Sequence, residues 1–367
     1  MELDYINCIQ EMIEIQTAII SFVDDKESLN SLLDKLHQFQ IFNDIYKFHD
    51  FLELLNRISS SRNIAKEKDK VNEIILSIKA QILKTFSKDE IFHSFKNNTP
   101  ILLFLYENGI IDFEQISVYR YYELYRFLMP EYIEYEGSKN IDRLIKELAD
   151  PYKDKLDQFR IERKEYHSDS TIAKIIRSDD VDSFSDYISR TNLPLDFKIP
   201  DSIYEVSSDM RYMCNTLIEY AASFGSINIF KYLYCHLDTF PSNILLAAVF
   251  GGNFDIIHLL EKKGIVPNQF ILFRTILVHR NELYDYFSSN YKIDIDFDLV
   301  DDAIRSSNYY VLNELLNNNT EYLTNINYIS SIFSSCCCYD IRTLFNILYT
   351  IPEIDVNIEK EITNDFL

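Results

Sequence analysis

The stretch Ala248-Val249-Phe250-Gly251-Gly252-Asn253-Phe254-Asp255-Ile256-Ile257-His258-Leu259-Leu260 lies over Ala221-Ala222-Ser223-Phe224-Gly225-Ser226-Ile227-Asn228-Ile229-Phe230-Lys231-Tyr232-Leu233 without a gap. Alanine meets alanine, Gly225 meets Gly252, Ile229 meets Ile256 and Leu233 meets Leu260. The frame continues at Thr275 with Glu282, Leu283, Tyr286 and Phe287, and at Ala303 with Ser307, Val311 and Leu315. It recurs at Phe333 with Cys337, Asp340, Ile341 and Phe345. A weaker copy precedes them at Ile175, with Asp179 in the glycine slot. An internal period of this kind is the signature of a repeat architecture.

Each copy reads as a helix pair. The small residue leaves room for close helix packing. The Gly, or Asp179 or Ser307 in its place, stands where the first helix ends and a left-handed backbone is needed. Asn228, Asp255, Glu282 and Asp340 put N-cap-type or acidic side chains at the start of the second helix, where its dipole favours them. Ile229, Tyr232 and Leu233 then form one apolar stripe at i, i+3 and i+4, which only a neighbouring copy can bury.

The pattern Ala-x-x-x-Gly-x-x-[Asp/Asn]-Ile-x-x-Leu-Leu resembles the helical core of an ankyrin repeat, most clearly over Gly251 to Glu261. With Thr216 to Ser226 and Asp179-Asp180-Val181-Asp182-Ser183-Phe184, it resembles the DUF3447 group, in which divergent repeats follow a helical N-terminal region. The resemblance implies an all-α, helical-repeat solenoid of degenerate ankyrin-like helix pairs over 166–367. About six units are expected, starting near Ile175, Ala221, Ala248, Thr275, Ala303 and Phe333. The period is shorter than the ankyrin norm of about 33 residues, and no Thr-Pro-Leu-His opens a copy, so shortened or missing hairpin fingers are expected. Ile351-Pro352-Glu353-Ile354-Asp355-Val356-Asn357 resembles an inter-repeat loop, and the last pair is expected either to lack a polar cap or to be covered by another surface.

Residues 1–165 read as an α-helical N-terminal region. Ile6 to Val23, Leu29 to Phe39, Ile45 to Ile58 and Val71 to Ile82 carry apolar residues at helical spacing, with a polar stretch from Ser59 to Lys70 between the last two. Ser87 and Glu90 have capping-box spacing. Thr99-Pro100 reads as an N-cap followed by a proline, with Gly109 at the far end. Tyr119 to Met129 reads as a helix ended by Pro130, and Tyr132 to Arg163 as a charged connector with one helix.

With only 6 Gly and 8 Pro in 367 residues, turn-rich sandwiches and barrels are disfavoured, and no phosphate-cradling glycine motif occurs. The balance of 36 basic to 58 acidic residues gives a net charge of −22, which opposes direct binding to nucleic acid or anionic lipid. Lys66-Glu67-Lys68-Asp69-Lys70 is interleaved with acids rather than a basic run. No apolar stretch is long enough to insert in a membrane. The acidic start and unpaired cysteine spacings lead to the expectation of an intracellular, cytoplasmic protein.

Three constellations invite a site reading. Asp294, Asp296, Asp298, Asp301 and Asp302 are spaced like the start of a calcium loop, but Leu299 and Arg305 occupy the positions that need Gly and Glu. Cys336-Cys337-Cys338 lacks a second ligand pair beyond Cys235-His236, so small buried cysteines at a helix turn are expected. His37, His49, His93, His167, His236, His258 and His279 make no nucleophile–base or metal signature. No catalytic, cofactor or metal residues are therefore assigned. The expected function is a non-catalytic protein–protein interaction scaffold with no cofactor, whose partner and binding face the sequence does not name. The alternatives are a self-associating subunit, motivated by a last pair without a polar cap, or an enzyme with an unrecognised site in 1–165.

Overall fold

The computed structural model describes residues 2–61, 65–119, 121–140, 143–152 and 154–349. It is all-helical, with helix over 73% of the chain, and the described residues contain no strand. One isolated antiparallel bridge joins Lys198 and Thr216. The segment 351–357, read as an inter-repeat loop, lies outside the described residues.

The first half supplies α1 (Glu2–Val23), α2 (Leu29–Gln38), α3 (Ile45–Ser61), α4 (Ala65–Ser77), α5 (Lys79–Thr85) and α6 (Lys88–Phe95). It continues with α7 (Thr99–Glu107), α8 (Phe113–Ser117), α9 (Tyr122–Phe127), α10 (Met129–Asn140), α11 (Arg143–Ala149) and α12 (Leu156–Glu162). Ser87 and Glu90 do form a capping box on α6. Three expectations are corrected here. Asn98, not Thr99, caps α7, because its carboxamide oxygen accepts from the Ile101 amide and leaves Pro100 in the first turn. Pro130 ends no helix; it sits in the first turn of α10, where a missing N–H costs nothing. The charged segment after Tyr132 holds most of α10 together with α11 and α12, three helices rather than one.

The second half pairs α13 (Thr171–Arg177) with α14 (Val181–Thr191) and, after α15 (Ser208–Tyr212), α16 (Leu217–Ser223) with α17 (Ile227–His236). Next come α18 (Ile244–Gly251) with α19 (Phe254–Lys262), α20 (Gln269–Leu277) with α21 (Asn281–Asn290), and α22 (Asp298–Arg305) with α23 (Tyr309–Asn318). After α24 (Glu321–Thr324), α25 (Ile326–Tyr339) pairs with α26 (Arg342–Tyr349). Every one of the six turns passes through a single residue of positive φ: Asp179 (53°), Gly225 (66°), Gly252 (65°), His279 (52°), Ser307 (55°) and Asp340 (58°). Four, Asp179, Gly225, Gly252 and Ser307, are the residues the alignment put in the glycine slot, and His279 stands four residues after Thr275 in the same frame. The sixth is a correction: the turn uses Asp340 rather than Cys337, so α25 runs three residues further and the last copy aligns at Cys336, not Phe333.

The neighbouring glycine does a different job. A Cβ on Gly251 would stand 2.1 Å from the Ala222 carbonyl oxygen and 2.9 Å from the Gly225 amide, so α18 can approach α16 only because that atom is missing. Ala221, Ala222, Ala247 and Ala248 are fully buried at the same contact.

The chain divides into two compact units, 1–58 with 268–367, and 59–267. In the first unit α1 packs against α23 and α26, so the last pair is not bare there. Each unit has its own apolar core, of which Phe48, Phe51 and Phe287 belong to the first and Phe92, Phe184 and Phe230 to the second. A fully buried side chain of this size contributes about 1.5–3 kcal/mol.

Candidate binding surfaces and the pins beneath them

In the unit of 1–58 and 268–367, side chains of the N-terminal helices read the free amides at the starts of second helices. The Tyr310 amide in the first turn of α23 donates to Gln16 Oε1 at 3.0 Å, while Gln16 Nε2 donates to Asn308 Oδ1 at 2.8 Å and to His279 Nδ1 at 3.0 Å. His279 is fully buried and its Nε2 stands 3.0 Å from the Ser306 carbonyl. Its ring therefore accepts at Nδ1 and donates at Nε2, a neutral tautomer set by the network. The Arg342 and Thr343 amides of α26 donate to the two carboxylate oxygens of Asp50 from α3, each at 2.9 Å. An anion at this point also meets the positive end of the helix dipole.

His49, next to Asp50, lies 3.2 Å from Asp340 and is buried. Burial alone would lower its pKa, but hydrogen bonds to Asp340 and Asp50 outweigh that and raise it to about 9, against the repulsion of Arg342. Burial would raise the Asp340 carboxyl, yet His49 and Arg342 hold it well below the usual range.

The first helices α20, α22 and α25 of this unit lie side by side, with α22 against both neighbours. Arg274 stacks over Phe270 at 5.1 Å and Phe273 at 5.8 Å, and Arg305 of α22 covers Phe273 at 5.2 Å. Phe270 is 43% exposed. The five aspartates of the calcium-like stretch do not converge. Asp296 accepts from Gln269 at 2.7 Å, Asp302 from Arg305 at 2.9 Å, and Asp301 holds Ser335 and Tyr339 of α25. Among the described residues no three His, Cys, Asp or Glu side chains are grouped to hold a metal. Burial pushes Asp302 up to about 6, with Asp301, Asp298 and Asp296 adding to the rise and Arg305 opposing it.

Cys336-Cys337-Cys338 lies in the last turns of α25, not at the turn between helices. Only Cys336 is buried; Cys337 and Cys338 are exposed, because consecutive helical residues point about 100° apart. Cys235 is exposed in the other unit.

In the unit of 59–267, the pins join side chain to side chain as ion pairs. Arg163 grips Glu131 with two bonds of 2.6 Å, both residues being buried, and donates to the Phe127 carbonyl at 2.9 Å. His167 meets Glu205 at 2.9 Å; burial would raise this carboxyl, but His167 and the Ser207 and Ser168 amides lower it. Arg211 of α15 holds Glu123 of α9 at 2.9 and 3.1 Å. Asp179 accepts from the Asn228 and Ile229 amides of α17 at 3.0 and 2.9 Å, so the turn residue of one pair caps the next. The remaining histidines are peripheral: His93 contacts Asp89 and Tyr119, His236 the Tyr232 carbonyl, and His37 and His258 lie at the surface.

Sequence reasoning missed Gln16, Asp50 and Lys68. Only their place on otherwise apolar helix faces, or inside an interleaved charge run, could have flagged them. An all-α chain is the class these observations define. A family model described as "Domain of unknown function (DUF3447)" matches residues 235–315, which run from the end of α17 into α23. No curated protein and no solved structure matches the chain. Among the described residues no helix is long and apolar enough to cross a membrane.

Proposed function

We propose that the protein is a non-catalytic scaffold whose degenerate ankyrin-like helix pairs stack as a solenoid and hold a protein partner on their first helices. The observation that carries this reading is the mixed aromatic, arginine and aspartate face of α20, α22 and α25. Half-buried Phe273, Arg274, Arg305 and Tyr339 sit beside exposed Phe270 and a row of aspartates on this face. Aromatic and arginine side chains are the types that dominate binding energy at interfaces. Residues 201–367 carry 10 basic against 22 acidic groups, so a basic or mixed-charge protein is the favoured partner, and nucleic acid is not. No cofactor enters this reading.

The test is affinity capture with the full chain and with Phe270→Ser/Arg274→Glu. A partner held by the wild type at low salt should be lost from the variant, with thermal unfolding of the two chains unchanged. Identical capture by both chains would sink the assignment of this face.

A further inference from the structure

The unit of 59–267 contains a cavity of about 260 Å³ at the N-terminal end of α7. Lys68, Arg126 and Arg211 line it, and all three are more than nine-tenths buried, at 4%, 4% and 7% exposure. Glu123 and Glu205 share the walls, and the backbone turn Asn97-Asn98-Thr99 closes one side. Glu205 is committed to His167. Glu123 is committed to Arg211 and lies 3.8 Å from Arg126 Nη1, beyond hydrogen-bond reach.

Two guanidinium nitrogens in this wall, Arg126 Nη1 and Arg211 Nε, are buried without a hydrogen-bond partner. A buried donor left unmade costs about 1–3 kcal/mol, and more when it is charged. The Lys68 ammonium donates to the Ser59 carbonyl at 2.8 Å, which uses one of its three protons. Burial lowers its pKa to about 8, with Glu67 and Glu205 opposing the fall. The positive end of the nine-residue helix α7 adds to the same field. Arg126 Nη2 is taken by Asp201 at 3.3 Å and the Ser202 carbonyl at 2.6 Å, which leaves Arg126 Nη1 and Arg211 Nε as the unmet donors of this wall.

We propose that this cavity binds the phosphate group of a small phosphorylated ligand, held by Arg126, Arg211 and Lys68, with Glu123 as the resident carboxylate it displaces. The fork of a guanidinium matches paired phosphate oxygens, and several oxygens on one centre can meet donors from three residues at once. The volume falls below the ~300–1,000 Å³ of drug-sized sites, so the ligand is small. Tyr212, 68% exposed with Arg211 over its ring at 5.2 Å, stands at the lining where the rest of the ligand would emerge. The site is independent of the face on α20, α22 and α25, and either can fail alone.

The experiment titrates the full chain with inorganic phosphate by calorimetry and thermal unfolding, against sodium chloride and sodium acetate at equal ionic strength. Phosphate should bind and raise the melting temperature where chloride and acetate do not. Arg126→Gln should weaken phosphate by about tenfold. Glu123→Gln, which removes the competing carboxylate and no cation, should tighten it several-fold. Equal effects of the three salts, or a Glu123→Gln chain that binds phosphate no better than wild type, overturn the proposal. Acetate binding as tightly as phosphate would overturn its assignment to phosphate.

Discussion

In the unit of 1–58 and 268–367, the N-terminal helices are held by an amide, an imidazole and a carboxylate that accept from or donate to main-chain groups. In the unit of 59–267, they are held by arginine–carboxylate and histidine–carboxylate pairs. Gln16 and Asp50 satisfy amides that every helix start leaves open, so the helix pairs themselves dictate what must dock there. Arg163 and Glu131 satisfy mainly each other. Gln16 is neutral and cheap to desolvate, whereas Asp50 is a buried carboxylate offset by two amides and His49. The ionic pins are expensive to bury and punish the loss of either partner. The difference teaches that the same task, fixing non-paired helices, has been met once by reading the repeat frame and once without it.

The contrast should be largest when one partner is removed. Arg163→Met strands a buried Glu131 and is expected to cost about 3–5 kcal/mol, while Gln16→Leu leaves neutral groups unmet and should cost about 1–3 kcal/mol. Urea unfolding of both variants gives the comparison, and a Gln16→Leu loss equal to that of Arg163→Met would erase the distinction.

Acid and alkali should separate the units next. The His49 pKa is raised in the fold, so its contribution is full below about 6.5 and is lost as pH climbs through about 9. The charged groups facing it are Asp50, Asp340 and Arg342. Glu205 is lowered, so its contribution is present above its ordinary value near 4.5 and is lost as pH falls through the folded one. Melting temperature followed against pH should therefore lose its alkaline decline in part in His49→Gln. Glu205→Gln should instead flatten the acid limb. Profiles parallel to wild type in both variants would show that neither pair couples folding to protons.

The smallest expected effect probes the shared turn. Ser307 adopts φ 55° with its hydroxyl buried and without a hydrogen-bond partner, whereas the equivalent positions Gly225 and Gly252 carry no such strain. Left-handed backbone costs a non-glycine residue about 1–2 kcal/mol, partly offset by the chain entropy of glycine. Ser307→Gly should thus stabilise by about 0.5 kcal/mol. Destabilisation in the same measurement would mean that the Ser307 side chain is held by something other than its turn.

Of the candidate features, the glycine slot was readable because backbone chirality constrains a single residue, and Asp179 and Ser307 fell in it despite their different side chains. Cys337 was misplaced because serine and cysteine in α25 carry no stop signal, and only the left-handed Asp340 marks the end of that helix. The run Lys66 to Lys70 looked solvated, yet Glu67 and Lys68 are buried. Charge alternation reports composition, and burial depends on which helices cover the segment.

The sequence by itself determined the all-helical class and most of the helix-ending positions of positive φ, since period, capping and chirality are local constraints. Tertiary structure alone decided that Gln16 and Asp50 reach amides nearly 300 residues away, that Arg163 and Glu131 are mates, and that Lys68, Arg126 and Arg211 share one cavity. Those pairings depend on where distant helices dock, and no short-range pattern encodes the partner of a buried polar group.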